Sequence, residues 1–324
     1  MLGAALALLS ATLFGLNIAT ARRGVLSGSL FQAIVITVFA GVPLFAFGAL
    51  LFGSYGALQA QSLESVGWFS AAGIVHFVLG RYSTYRAARA VGAAQSGPIV
   101  QLGVLVTLSL ALIFLDEYVT PLRMGGIMLI LIAPLLVLYG RIKSGEVITR
   151  AGQRLDYIDG YFWGLVCACA FGLSPILIRF GIGDGGVREA VAAGFTAYCA
   201  AAIFVACLFL LPRNRTDIRT LDLKTAKWFV ATGVLVFMSQ MLLFISLALA
   251  PVTVVLPIQR TSGIFRVFFS WLLNRDHEVL GIPVLVGMGL SVLGIVMVTL
   301  SIDVVLDFLP LSPQILAYLQ LRWP

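Results

Sequence analysis

Charge is the scarcest commodity in this chain. Only 11% of its 324 residues are charged, against 60% hydrophobic, and the mean hydropathy is +1.04. No water-soluble domain has an interior large enough for that apolar share, which excludes soluble folds. Carboxylates are absent from the middle of every apolar run: Glu64, Asp116, Glu117, Asp159 and Asp184 all fall near run ends. An exporter of lipophilic cations needs a membrane-embedded carboxylate that binds the cation and exchanges protons, so that activity is disfavoured. Of two histidines, His76 alone sits inside an apolar run, the one intramembrane group that titrates near neutral pH. Cys167, Cys169, Cys199 and Cys207 form no CxxC, and a C-x-C pair on a helix points to two faces. They read as inert core residues, and with no His/Asp/Glu cluster neither a metal nor a cofactor is expected. No GxSG-type turn surrounds Ser96, so a Ser96–His76 dyad of an intramembrane enzyme lacks its main requirement. Strand-like alternation is missing too, which disfavours a transmembrane barrel.

What is present is a series of apolar runs of membrane-spanning length. They fall at about 2–21, 29–52, 65–90, 93–115 and 121–140, then at about 158–181, 188–211, 226–249, 251–273 and 280–302. The opening MLGAALALLSATLF lacks a basic n-region and is read as a retained span. The expected fold class is therefore an all-α polytopic membrane protein with about ten transmembrane helices. Residues 141–157 form a polar linker between the two groups of five, and 303–324 a tail whose Trp323 suits an interfacial anchor. The net charge of +7 is spread over short loops, where it reports orientation; no nucleic acid is expected as a partner.

The two halves match each other. Ser10-Ala-Thr-Leu-Phe14-Gly15-Leu16-Asn17 aligns with Cys167-Ala-Cys-Ala-Phe171-Gly172-Leu173-Ser174, and Arg22–Gly24 falls opposite Arg179–Gly181. Ala90–Leu110 aligns without a gap with Leu249–Phe269, setting Pro98 opposite Pro257; with two extra residues allowed in Asn274–His277, Glu117 matches Glu278 and Gly126 matches Gly287. A repeat with an odd number of spans inverts in the membrane, an architecture common in transporters, with the site at mid-bilayer between the halves.

Two five-helix repeats, each with Phe-Gly-Leu in its first helix, a proline early in the fourth and a glutamate after it, resemble the drug/metabolite transporter superfamily, above all permeases with a duplicated EamA domain. The resemblance divides the chain into repeats over 1–140 and 158–302. It implies a basket with helices one, three and four of each half around a central cavity, a small-molecule metabolite and the lipid bilayer as partners, and residence in a bacterial inner membrane. It also implies both termini on the cytoplasmic side. The loop charges argue the reverse, since Arg22, Arg23, Arg86, Arg89, the linker bases and Arg213 to Lys227 all occupy odd-numbered loops. Oligomeric state stays open, with a monomer the simplest case.

Within the implied cavity, the repeat alignment sets Gln101 opposite Arg260 and Arg81 opposite Gln240. An arginine at mid-span costs about 2.5–3.5 kcal/mol on insertion scales and is kept where it faces a polar volume. Two guanidiniums would recognise carboxylate or phosphate. Gln259, Tyr82, Tyr85, His76, Asn17, Ser174 and Ser239 complete the candidate substrate-binding set, with Pro98, Pro257 and Pro175 as kinks. Each has a plainer reading: Arg260 bonding carbonyls freed by Pro257, Arg81 and Arg266 snorkelling, Arg22 interfacial, His76 a core histidine, the glutamines gluing helices. The expected activity is passage of a small carboxylated, anionic or amino-acid-like metabolite by alternating access. Export of neutral or drug-like compounds is the alternative, and a non-transporting scaffold a third reading.

Overall fold

The computed structural model describes residues 2–114, 120–144, 148–182, 186–249, 255, 258–259 and 261–299; Arg260, Pro257 and the tail with Trp323 lie outside them. In chain order the helices are α1 (Leu2–Ser27), α2 (Leu30–Leu51), α3 (Tyr55–Gln59), α4 (Leu63–Gly73), α5 (Arg81–Val91), α6 (Ala93–Gln101), α7 (Gly103–Phe114) and α8 (Pro121–Ser144). The second half supplies α9 (Tyr157–Ile182), α10 (Val187–Leu208), α11 (Pro212–Arg219), α12 (Leu223–Leu249), α13 (Ser262–Asn274) and α14 (Ile282–Thr299). A π-helical turn, Ile74–Gly80, joins α4 to α5, making one span over Leu63–Val91. Among the described residues eight helices are long and apolar enough to cross a membrane, and Ile282–Val298 is a shorter apolar one. The chain is an all-α polytopic membrane protein built from two inverted five-helix repeats.

Local chemistry explains the boundaries. Ser29 and Gln32 form a reciprocal capping box that starts α2, and Ser62 accepts the Ser65 amide to start α4. Gly92, at φ +94°, ends α5 and turns the chain into α6. A side chain there would be strained, and its Cβ would meet the Glu278 carboxylate. Pro98 lies within α6, and the span breaks at Leu102 before resuming as α7. α1 runs to Ser27, beyond the apolar run that ends near 21, because Arg22 does not leave the protein: it is 0% exposed.

The repeats are sequence units without being packing units. α1 lies along α12 and α13, and α9 lies along α4, α5 and α7, so the first helix of each half packs on the third and fourth of the other. α2 meets α10, and α8 meets α14, across the pseudo-two-fold relation. The Phe-Gly-Leu motif has a direct structural reason. A Cβ on Gly15 would lie 2.6 Å from the Arg266 backbone nitrogen, and one on Gly172 2.5 Å from the Gly103 carbonyl oxygen. Each glycine lets a first helix touch the backbone of the opposite repeat's fourth helix, the close approach that drives association in lipid.

Hydroxyls tie the same seams. Ser239 Oγ donates to the Ser10 carbonyl at 2.9 Å while Ser10 bonds back to Ser239, and Thr232 donates to Thr20 at 3.1 Å. Interhelical hydrogen bonds in membranes average about 0.6 kcal/mol. Ser239→Ala should therefore lower the melting temperature slightly in a detergent thermal-shift assay and leave substrate flux at the wild-type rate. A flux defect larger than the stability loss would return Ser239 to the site.

Candidate functional site

The π-turn within Leu63–Val91 sets the geometry of the candidate site. Such turns are rare and recur at functional positions. It carries His76 and Phe77, and its i→i+5 pattern brings Arg81, five residues on, toward the same side. At about 1.5 Å per residue, Arg81 lies about 15 Å short of Val91. It is 6% exposed, and its Nη2 donates to Tyr198 Oη at 2.8 Å. The snorkelling reading of Arg81 thus fails: its guanidinium turns inward, with its carbon 5.1 Å from the Phe77 ring centre and 5.5 Å from that of Tyr198. Phe77 and Tyr198 stack at 3.8 Å, Phe45 stacks on the far face of the pair at 4.7 Å from Tyr198, and Tyr85 is buried in the same cluster.

Arg81 Nη1 is buried and has no hydrogen-bond partner, as are Asn17 Oδ1 and Gln259 Oε1. A buried donor or acceptor left unpaired costs about 1–3 kcal/mol, more when charged. Asn17 sits higher than Arg81: its neighbour Ile18 packs with Ala88 and Ala93, about two helical turns further along the third span. Nearer Arg81, His76 Nδ1 lies 2.7 Å from Ser174 Oγ, its ring stacked on Phe171 at 4.5 Å, within electrostatic range of the guanidinium. Phe171 and Ser174 belong to the Phe-Gly-Leu motif of α9, so the motif both packs the helix and faces the site.

Of the sequence-expected residues, the structure brings Arg81 with Tyr85 and His76 with Ser174. Tyr82 turns the other way: it accepts a hydrogen bond from Arg86 at 3.1 Å, meets Trp163 edge-on, and lines an outer groove of about 1150 Å³. Ser239 is taken up by Ser10. Gln101 Nε2 lies 3.2 Å from Met288 Sδ, on the side of α13 and α14. Gln240 and Gln259 are half-buried, Pro98 is buried and Pro175 exposed. Arg260 lies outside the described residues, so its pairing with Arg81 is not assigned a geometry. Tyr198 was missed because nothing in its own stretch, AAGFTAYCAAA, marks it; only the hydrogen bond it accepts from Arg81 gives it a role.

Two arginines assigned to the membrane surface are instead buried in a second polar layer, nearer one face. Arg22 Nη1 donates to the Arg89 carbonyl at 2.8 Å, and its Nη2 to Gln153 Oε1 at 2.9 Å and the His277 carbonyl at 3.1 Å. Its Nε lies 3.5 Å from Glu278 Oε1. Glu278 accepts the Ala93 and Ala94 amides at 2.7 and 3.2 Å, capping α6. Burial pushes the Glu278 carboxyl up from its ordinary range, and Arg22 with the two amides pulls it back only in part. Arg266, 7% exposed, donates to the Ala93 carbonyl at 2.6 Å and to Ser96 Oγ at 2.7 Å beside Pro98. Snorkelling was the wrong expectation because it counts distance to the helix end and ignores carbonyls offered by a neighbouring broken helix.

Among the described residues no group of three or more His, Cys, Asp or Glu side chains is placed to hold a metal ion. None of the curated proteins matches the chain. A solved structure described as "Crystal structure of protein" superposes with a TM-score of 0.58 at 15% identity, covering 91% of this chain and 95% of its own, which speaks to the fold alone. The model of the EamA-like transporter family matches twice, over residues 1–139 and 158–300. With both five-helix halves matched, the chain belongs to the EamA-like transporter family.

Proposed function

We propose that this transporter is a permease for a small carboxylated, anionic or amino-acid-like metabolite, carried through the centre of an inner bacterial membrane as the two halves expose the site to each face in turn. One observation carries the substrate class: a buried guanidinium near mid-membrane whose Nη1 has no partner. The described spans offer it no carboxylate, since Glu64, Asp159 and Glu189 sit in first helical turns. An anionic group of the substrate supplies both the missing acceptor and the missing charge. Tyr198 holds the other edge of the fork, and Asn17 and His76 add polar contacts for the rest of the molecule. By the repeat, Arg260 contributes the second guanidinium.

The aromatic wall of Phe77, Tyr198 and Phe171 favours a second reading, a neutral or drug-like substrate, in which Arg81 is held by ring faces and serves structure alone. Counterflow in proteoliposomes separates the two. Labelled anionic, zwitterionic, neutral and cationic metabolites are offered to wild type and to Arg260→Gln. Uptake of carboxylated or phosphorylated compounds that is lost in the folded variant supports the first reading. Uptake of neutral compounds that survives the substitution supports the second.

A further inference from the structure

Two cavities adjoin at the turn between α13 and α14. The larger, about 630 Å³, is an apolar groove. Val267 and Met288 form its buried floor, and Phe268, Trp271, Ile282 and Leu285 are exposed along its walls. From Ile264 to Trp271 it runs about 10 Å along α13. The smaller, about 200 Å³, lies past the C-terminal end of α13 and is lined by Arg150, Arg275 and Glu278. Trp271 and Leu280 line both, so an apolar groove and a charged one share a wall.

The charges of the smaller cavity do not balance. Glu278 is the only carboxylate among the described residues that line it, and its oxygens already serve the Ala93 and Ala94 amides and Arg22. Arg150 and Arg275 are exposed. Both are steadied from behind. The Ala151 amide donates to the Asp276 carbonyl at 2.8 Å, which ties the linker to the turn, and the Arg275 guanidinium lies 5.8 Å from the Trp271 ring centre. A tryptophan at the edge of a lipid-facing apolar surface marks headgroup depth. Two guanidiniums at that depth, next to a groove for hydrocarbon, are complementary to a phosphodiester with an acyl chain beneath it. We propose that the paired cavity is a site for one anionic phospholipid, with its phosphate at Arg150 and Arg275 and an acyl chain laid over Val267 and Met288. The site shares no residue with the Arg81 cluster and is independent of what the protein carries.

The test is native mass spectrometry of the full-length protein in detergent, titrated with phosphatidylglycerol or with phosphatidylcholine of the same chains. Wild type retains one phosphatidylglycerol at concentrations where phosphatidylcholine does not bind. An arginine beside an anionic headgroup contributes about fivefold in affinity, so Arg150→Gln with Arg275→Gln weakens retention about 25-fold. Lys224→Gln with Lys227→Gln removes the same charge from exposed positions outside the two cavities and retains the lipid as wild type does. Gly289→Phe fills the groove, where a Cβ meets nothing within 4 Å, and weakens retention with both arginines in place. Equal binding of the two lipids, or an equal loss in the lysine pair, overturns the site. Retention that ignores Gly289→Phe overturns the seat of the acyl chain, and with it the paired cavity. A chain that stays bare at every lipid concentration, or that pairs with a second copy instead, overturns the proposal as well.

Discussion

Arg81→Gln abolishes most anion counterflow and leaves the fold intact. A hydrogen bond to a charged partner contributes about 1.5–3 kcal/mol, which corresponds to a loss of roughly 10- to 150-fold in substrate affinity. The melting temperature stays level or rises, because the substitution removes a buried charge that no carboxylate in the described spans compensates. That pairing of outcomes is the diagnostic one. An arginine kept only for structure would lose stability and flux together, through the Tyr198 bond and the ring stack it anchors. Tyr198→Phe is the companion variant: it frees the second edge of the fork without touching the charge, so it lowers affinity while keeping the preference for anions. Initial rates at several substrate concentrations, with melting curves on the same preparations, check all three statements.

Gly15→Leu and Gly172→Leu yield no monodisperse folded protein. The atoms in the way at Gly15 are the Arg266 nitrogen and the Phe265 backbone and Cβ, and at Gly172 the Gly103 carbonyl and Val106. Backbone has no alternative rotamer, so the helices separate instead of yielding. Overpacking by a methylene or two in a core costs about 1–3 kcal/mol; a leucine forced between helix backbones exceeds that range. Gly15→Ala gives a milder, measurable fall in melting temperature. Gly67→Ala is the control, since a Cβ there meets nothing within 4 Å. Size-exclusion profiles and thermal shift in detergent report both effects, and a folded Gly15→Leu protein with a wild-type profile would contradict the close approach.

These glycines also show what a sequence can and cannot disclose. The fold was legible because bilayer thickness fixes run length, and because two copies of one pattern in a single chain imply a symmetry axis. Phe14-Gly15-Leu16 and Phe171-Gly172-Leu173 were visible as a repeat long before their reason was: that each presses on the other half's backbone is a three-dimensional fact. The candidate site was legible in part. His76 and Ser174 were both on the page as polar residues in apolar runs, and the structure sets them 2.7 Å apart. Ser239 and Tyr82 looked the same in sequence and face elsewhere, because polarity says that a residue needs a partner without saying which. Arg22 and Arg266 were misplaced for one shared reason. Each relies in part on main-chain carbonyls, of Arg89 and His277 for Arg22 and of Ala93 for Arg266, and backbone atoms carry no letter in a sequence.

The interleaving of the halves has a consequence for how the protein is made. A ribosome that has delivered α1 to α8 has inserted a first helix whose companions, α12 and α13, do not yet exist. Until they arrive, Ser10 and Thr20 face lipid or borrowed neighbours, and the groove at Gly15 is empty. Arg22 meanwhile has its Arg89 carbonyl available and waits for Gln153, His277 and Glu278. The half-made chain is therefore a client for the membrane's insertion and quality-control machinery through most of its synthesis. Its native packing is completed near the end of synthesis, after the last polar turn before α14 has emerged.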